Sequence, residues 1–147
     1  MRRLAILAIL PLLAASCAVS SNTLYNWGSG SSGVSEYEQL AYSNYKTQTP
    51  EDLCKLLCVY EKMVSTTGGL RNVPPPGICA EYGYLLLLPK TAETFAANAS
   101  ASQKRIFRTG DYHLLFLEKG KEMLQKELEL YPESEAFVLP LLKKLAQ

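Results

Sequence analysis

Three prolines in a row, Pro74, Pro75 and Pro76, closed by Gly77, divide an otherwise helix-forming chain into two arms. Each proline fixes φ and lacks the N–H that a helix needs, so no helix runs through this segment. On either side apolar residues recur at helical spacing. Leu53, Leu56, Leu57, Tyr60, Met63 and Val64 precede the prolines, and Leu114, Leu117, Met123, Leu124 and Leu128 follow well after them. No stretch alternates apolar and polar residues with the period of a strand. The chain is therefore expected to be all-α, a small bundle of antiparallel helix pairs, because amphipathic helices must bury their apolar stripes on one another.

Local punctuation sets the helix limits. Positions 37, 41 and 45 share a face, which predicts a short helix within 34–45. Thr49-Pro50-Glu51-Asp52 is a helix start, with Thr49 as cap, Pro50 at the first helical position and acids in the first turn. Gly68-Gly69 reads as its end. Ile78 to Leu88 predicts a buried helix in which Ala80, Gly83 and Leu87 mark a close-packed side, stopped by Pro89. Between 90 and 110 two short helices are expected, the first capped by Thr91 and the second near Gln103 to Phe107. Asp111 or Thr109 caps a long helix from about Tyr112 to Tyr131, where Gly120 marks a close crossing. Ser134 is read as the cap of a last helix that carries Phe137, Val138, Leu141, Leu142 and Leu145, and that Pro140 should kink.

The N-terminus reads as an address. Met1-Arg2-Arg3, an apolar run from Leu4 to Leu13 and the small residues Ala14-Ala15-Ser16 lead to Cys17, a pattern that resembles a bacterial lipobox. Pro11 interrupts the run, which is about half the roughly 20 residues a spanning helix needs. Residues 1–16 are thus expected to be a removed signal peptide and 17–33 a lipidated N-terminus with a flexible tether. Residues 34–147 form a single helical domain. Attachment to the membrane would come from acyl chains of palmitate type on Cys17. Ala18, rather than an acid, follows the cysteine, which points to the outer membrane and the periplasmic face. About 16 residues of Ser- and Gly-rich tether reach roughly 20–24 Å. Leu24, Tyr25 and Trp27 interrupt the tether and are too apolar for a pure spacer.

Little in the domain looks like chemistry. The net charge is +1, and loss of Arg2 and Arg3 with the leader would tip it slightly acidic, without the basic footprint of a nucleic-acid binder. His113 is the only histidine. It reads as an ordinary helix-start residue, so neither a nucleophile–histidine pair nor a zinc site is expected. The acids Glu127 and Glu129, and Glu133 and Glu135, read as solvated helix positions. Hence no enzyme activity, cofactor or metal is expected. Cys54, Cys58 and Cys79 leave two readings open: small buried residues, or one disulfide joining Cys79 to Cys54 or Cys58. Nine tyrosines and one tryptophan are the unusual feature. Tyr25, Trp27, Tyr82 and Tyr84 are the candidate partner-binding residues, since such side chains anchor interfaces; the competing reading, favoured for Tyr82 and Tyr84, is that they fill a small helical core with their hydroxyls at its edge. An alternative is a small-ligand or peptide groove lined by Tyr60, Tyr82 and Tyr84.

Three segments carry a resemblance: Leu24-Tyr25-Asn26-Trp27-Gly28 behind the lipobox, the run Val73 to Leu86, and Glu129-Leu130-Tyr131-Pro132-Glu133-Ser134. Together they resemble a family of small bacterial lipoproteins defined by a domain of unknown function, numbered forty-eight-ten. Relative to that family the connector has an extra proline, and residues 89–113 look like an insertion. The resemblance implies helix pairs of tetratricopeptide type. As partners it implies a CsgG-type outer-membrane lipoprotein and other small lipoproteins. The function it implies is that of a non-catalytic interaction subunit in an envelope assembly, with transport or secretion as its task.

Overall fold

The computed structural model describes residues 23–28, 30, 31, 33–108 and 110–145. The expected leader and the lipidation site Cys17 lie outside the described residues. The fold is all-α. Helices α1 (Glu36–Thr47), α2 (Pro50–Ser65), α3 (Ile78–Leu87), α4 (Thr91–Asn98), α5 (Ala101–Phe107), α6 (Tyr112–Leu130) and α7 (Glu135–Leu145) form a small bundle. Ahead of them strands β1 (Gly30–Ser31) and β2 (Val34–Ser35) make a minimal antiparallel ribbon, pairing Gly30 with Ser35 and Ser31 with Val34.

Helix starts follow local chemistry. The Ser35 hydroxyl accepts the Glu38 N–H, and the Glu38 carboxylate accepts the Ser35 N–H at 2.7 Å, a capping box that opens α1. Thr49 caps α2 through the Asp52 N–H, with Pro50 at the first position, as the sequence indicates. Ser100 and Gln103 make a second capping box for α5. Asp111 accepts the Leu114 N–H and opens α6.

Three expected boundaries differ. Thr91 does not cap α4. It is the first helical residue and is buried, and the cap position falls to Lys90 without a side-chain hydrogen bond. Ser134 does not cap α7 either. The 3-10 turn Pro132–Ser134 runs straight into the helix and leaves no extended cap position. The Ser134 hydroxyl is buried there without a partner. Helix α2 stops at Ser65, ahead of Gly68 and Gly69. Those glycines serve a different purpose: the Leu70 and Arg71 N–H groups donate to the carbonyls of Thr23 and Leu24, both at 3.0 Å. Gly69 has φ +74, and a Cβ there would lie 2.7 Å from the Leu24 carbonyl oxygen.

The most extensive helix pair is α3 with α6. Gly83 and Gly120 face each other at its crossing. A Cβ on Gly83 would come within 2.8 Å of the Gly120 carbonyl oxygen, and one on Gly120 within 2.5 Å of Leu87. Around this contact Cys54, Leu57, Tyr60, Ile78, Cys79, Tyr82, Leu86, Phe95 and Phe116 form one continuous core. Each fully buried large apolar side chain contributes about 1.5–3 kcal/mol through removal from water.

Candidate functional site

Residues 23–28 are docked on the domain rather than free. Besides the two backbone hydrogen bonds to Leu70 and Arg71, the Tyr25 ring meets Tyr131 edge-on at 6.3 Å, and the Arg71 guanidinium lies 5.9 Å above Tyr25. The Tyr131 hydroxyl donates to the Pro74 carbonyl at 2.6 Å, which joins this clasp to the proline run. Trp27 stacks on Tyr37 at 6.2 Å and stays 41 % exposed. The tether expected over 17–33 is thus shortened, because Tyr25 and Trp27 find aromatic partners on the domain itself.

From Trp27 a row of rings runs inward. Tyr37 and Tyr60 lie 5.5 Å apart, and Tyr60 stacks on Tyr82 at 5.5 Å. Their hydroxyls end on carboxylates. Tyr37 and Tyr60 both donate to Glu81 Oε2, at 2.7 and 2.6 Å. Tyr82 donates to Glu61 Oε2 at 2.7 Å, and Lys119 Nζ reaches Glu61 Oε1 at 2.8 Å. Burial, reinforced by these carboxylates, holds all three phenols above their ordinary value, so they act as fixed donors. Tyr60 is 2 % exposed and Tyr82 is fully buried. Neither can line a ligand groove, and Tyr82 is not available to a partner. The expectation for both residues is corrected by the polar ends of their rings, which are satisfied inside the bundle.

Tyr84 is different, although it is only two residues from Tyr82. It is about half exposed and stands at the end of the bundle where α1 stops, α2 begins and α3 stops. There Tyr45, Pro50, Leu53, Tyr84, Leu85 and Leu88 border a cleft of about 620 Å³. A smaller cleft of about 130 Å³ lies on the other side of Tyr84 and Leu88, against Leu87, Leu124, Leu141 and Lys144. No carboxylate lines either cleft. The smaller cleft is apolar apart from Lys144, and the larger sets Asn44, Gln48, Thr49 and Thr94 beside its apolar residues.

The one deeply buried acid is structural. Glu127 is 2 % exposed, and its Oε1 and Oε2 accept the N–H groups of Gly77 and Ala80 at 2.8 and 3.3 Å. It supplies from α6 the cap that α3 lacks at Gly77. Burial raises its pKa while the backbone donors oppose that shift. The sequence reading as a solvated position fails because the donors it serves lie about 50 residues away. The missing signal was available: a helix that starts at Gly77 with no Ser, Thr, Asp or Asn needs a cap from elsewhere.

Cys54, Cys58 and Cys79 are free thiols, Cys54 and Cys79 buried and Cys58 partly so, and Cys79 bonds neither of the others. Burial pushes the Cys58 and Cys79 thiols up to about 12, which keeps them protonated and poor nucleophiles. His113 is exposed on the first turn of α6. Among the described residues no three His, Cys, Asp or Glu side chains gather as a metal site would require, and no helix is long and apolar enough to cross a membrane. No family model, characterised protein or solved structure matches this chain.

Proposed function

We propose that this chain is an outer-membrane lipoprotein facing the periplasm, whose helical domain binds a partner protein and performs no reaction of its own. The observation that carries the reading is the open cleft where two exposed tyrosines, Tyr45 and Tyr84, stand beside Leu53, Leu85 and Leu88, with Asn44, Gln48, Thr49 and Thr94 as its polar rim. Exposed tyrosines with a half-buried apolar surround are frequent anchors of protein interfaces. The lipobox pattern ending at Cys17 supports the location. The clasp at Thr23 adds to it: six residues from Cys17, even fully extended, reach about 20 Å. A tether of about 16 residues would extend to about 55 Å, so the clasp cuts the leash to well under half. The resemblance to the forty-eight-ten family suggests a CsgG-type lipoprotein as the partner and an envelope assembly for transport or secretion as the setting.

Two variants test the two halves separately. Cys17→Ser should move the protein from the membrane to the soluble fraction, and a variant still found in membranes overturns the anchor. Tyr84→Glu, on an exposed position, should keep the fold and abolish co-purification of a CsgG-type lipoprotein from detergent-solubilised membranes. Recovery of the wild-type chain alone, or unchanged co-purification with Tyr84→Glu, overturns the interaction role.

A further inference from the structure

Helix α7 carries an exposed strip whose own residues do not border the larger cleft. Phe137 is 79 % exposed. Glu133, in the turn before the helix, and Phe137, Leu141 and Lys144 follow one another at intervals of four, four and three residues, which sets them along one side of α7. On that side Leu141 and Lys144 form one wall of the cleft of about 130 Å³ whose other walls are Tyr84, Leu87, Leu88 and Leu124. A large apolar knob and a small apolar hole therefore lie one helical turn apart on the same strip.

The charges on the strip fix what fits it. An acid, Glu133, stands just before its start, and a base, Lys144, at its end. A second α7 laid parallel would oppose like charges at both ends. Laid antiparallel, it opposes Phe137 to Leu141 of the second copy and brings Glu133, in the turn before the helix, to within one residue of the position opposite Lys144 of the second copy. A two-fold axis repeats both contacts. Such an isologous arrangement needs one self-complementary patch only. We infer that α7 is a homodimerisation surface, in which Phe137 of each copy enters the cleft beside Leu141 of the other. The occupant is a second copy of this chain; its cleft shares Tyr84 and Leu88 with the partner cleft next to Tyr45 and Leu53, while Phe137, Leu141 and Lys144 belong to the α7 strip alone.

Sedimentation velocity of the full chain in detergent tests it. The wild type should sediment as two copies. Phe137→Ser should raise the dimer dissociation constant about thirty-fold or more, as loss of a central interface anchor does. Circular dichroism should stay unchanged, because the ring is exposed. Glu133→Lys and Lys144→Glu should each give monomers by setting like charges against one another. The double variant Glu133→Lys with Lys144→Glu should restore the dimer. A wild-type monomer at every concentration overturns the inference, as it would if a different protein occupied this strip. A dimer unaffected by Phe137→Ser, or a double variant that stays monomeric, overturns it as well. Co-purification of the CsgG-type lipoprotein with Phe137→Ser distinguishes this failure from failure of the interaction role, since Phe137 does not border the larger cleft whereas Tyr84 borders both.

Discussion

The rings of Trp27, Tyr37, Tyr60 and Tyr82 and those of Phe95, Phe107, Tyr112 and Phe116 make two clusters of equal number and similar spacing, joined in opposite ways. The first is a row, each ring touching the next, with its three phenols tied to Glu81 and Glu61. The second is a knot about Phe95, which meets Phe107, Tyr112 and Phe116 at 4.9, 5.1 and 5.5 Å, mostly edge to face. The knot is assembled from α4, α5 and the start of α6, so the segment 89–113 brings much of its own core. The row spans from the docked N-terminal segment to the centre of the bundle. Packing in the knot is collective ring contact, whereas the row depends on directed hydrogen bonds from phenols to the carboxylates of Glu81 and Glu61.

The largest effect should come from breaking the knot at its centre. Phe95→Ala removes the ring that three others touch and should cost about 3–5 kcal/mol in denaturant unfolding. A loss below about 1 kcal/mol would mean that the rings do not act together. In the row, Tyr82→Phe keeps the ring but leaves Glu61, which is largely buried, with Lys119 alone. A hydrogen bond to a charged group sets the expected loss at about 1.5–3 kcal/mol. Tyr60→Phe should cost less, about 1 kcal/mol, because exposed Glu81 keeps the Tyr37 hydroxyl and water. Equal losses for Tyr82→Phe and Tyr60→Phe would show that the burial of the acid does not matter.

The smallest effect concerns alkaline pH and separates the clusters most cleanly. Phenols whose pKa is raised by folding keep their protons where the unfolded chain releases them. Their stabilising contribution is full below the ordinary tyrosine value of about 10 and is lost as pH rises past it. Thermal midpoints of the wild type should therefore fall as pH rises from about 9 to 11. Tyr60→Phe should fall less steeply, and Phe95→Leu should run parallel to the wild type. A Tyr60→Phe slope equal to that of the wild type would remove the titrating role assigned to this row.

What was legible in the chain was what neighbours along it decide. Thr49-Pro50, Asp111 and the break at Pro89 mark their helix ends through local chemistry, and Gly83 and Gly120 announce a crossing because small residues have no other use on buried faces. Ser35 with Glu38, and Ser100 with Gln103, carried the same kind of signal and went unread. Tyr82 and Tyr84 were given one role, although two residues place them roughly 200° apart around a helix. Helical phase alone puts Tyr82 in line with Cys79 and Leu86, and Tyr84 outside. The glycine pair at 68 and 69 lay beyond such reading, since it serves backbone groups far along the chain; at Gly77 the want of a cap was legible, but not that Glu127 supplies it.

The clasp has a mechanical consequence. Tension applied ahead of residue 23 would meet the amides of Leu70 and Arg71 first, and the edge of the Tyr131 ring beside Tyr25. From Tyr131 the load path runs through its hydroxyl to Pro74, along three prolines that cannot stretch by rotating φ, and into Gly77, which Glu127 bolts to α6. The stretch that divides the chain into two arms is thus also its stiffest strut, set between the point of attachment and the tightest helix pair of the bundle.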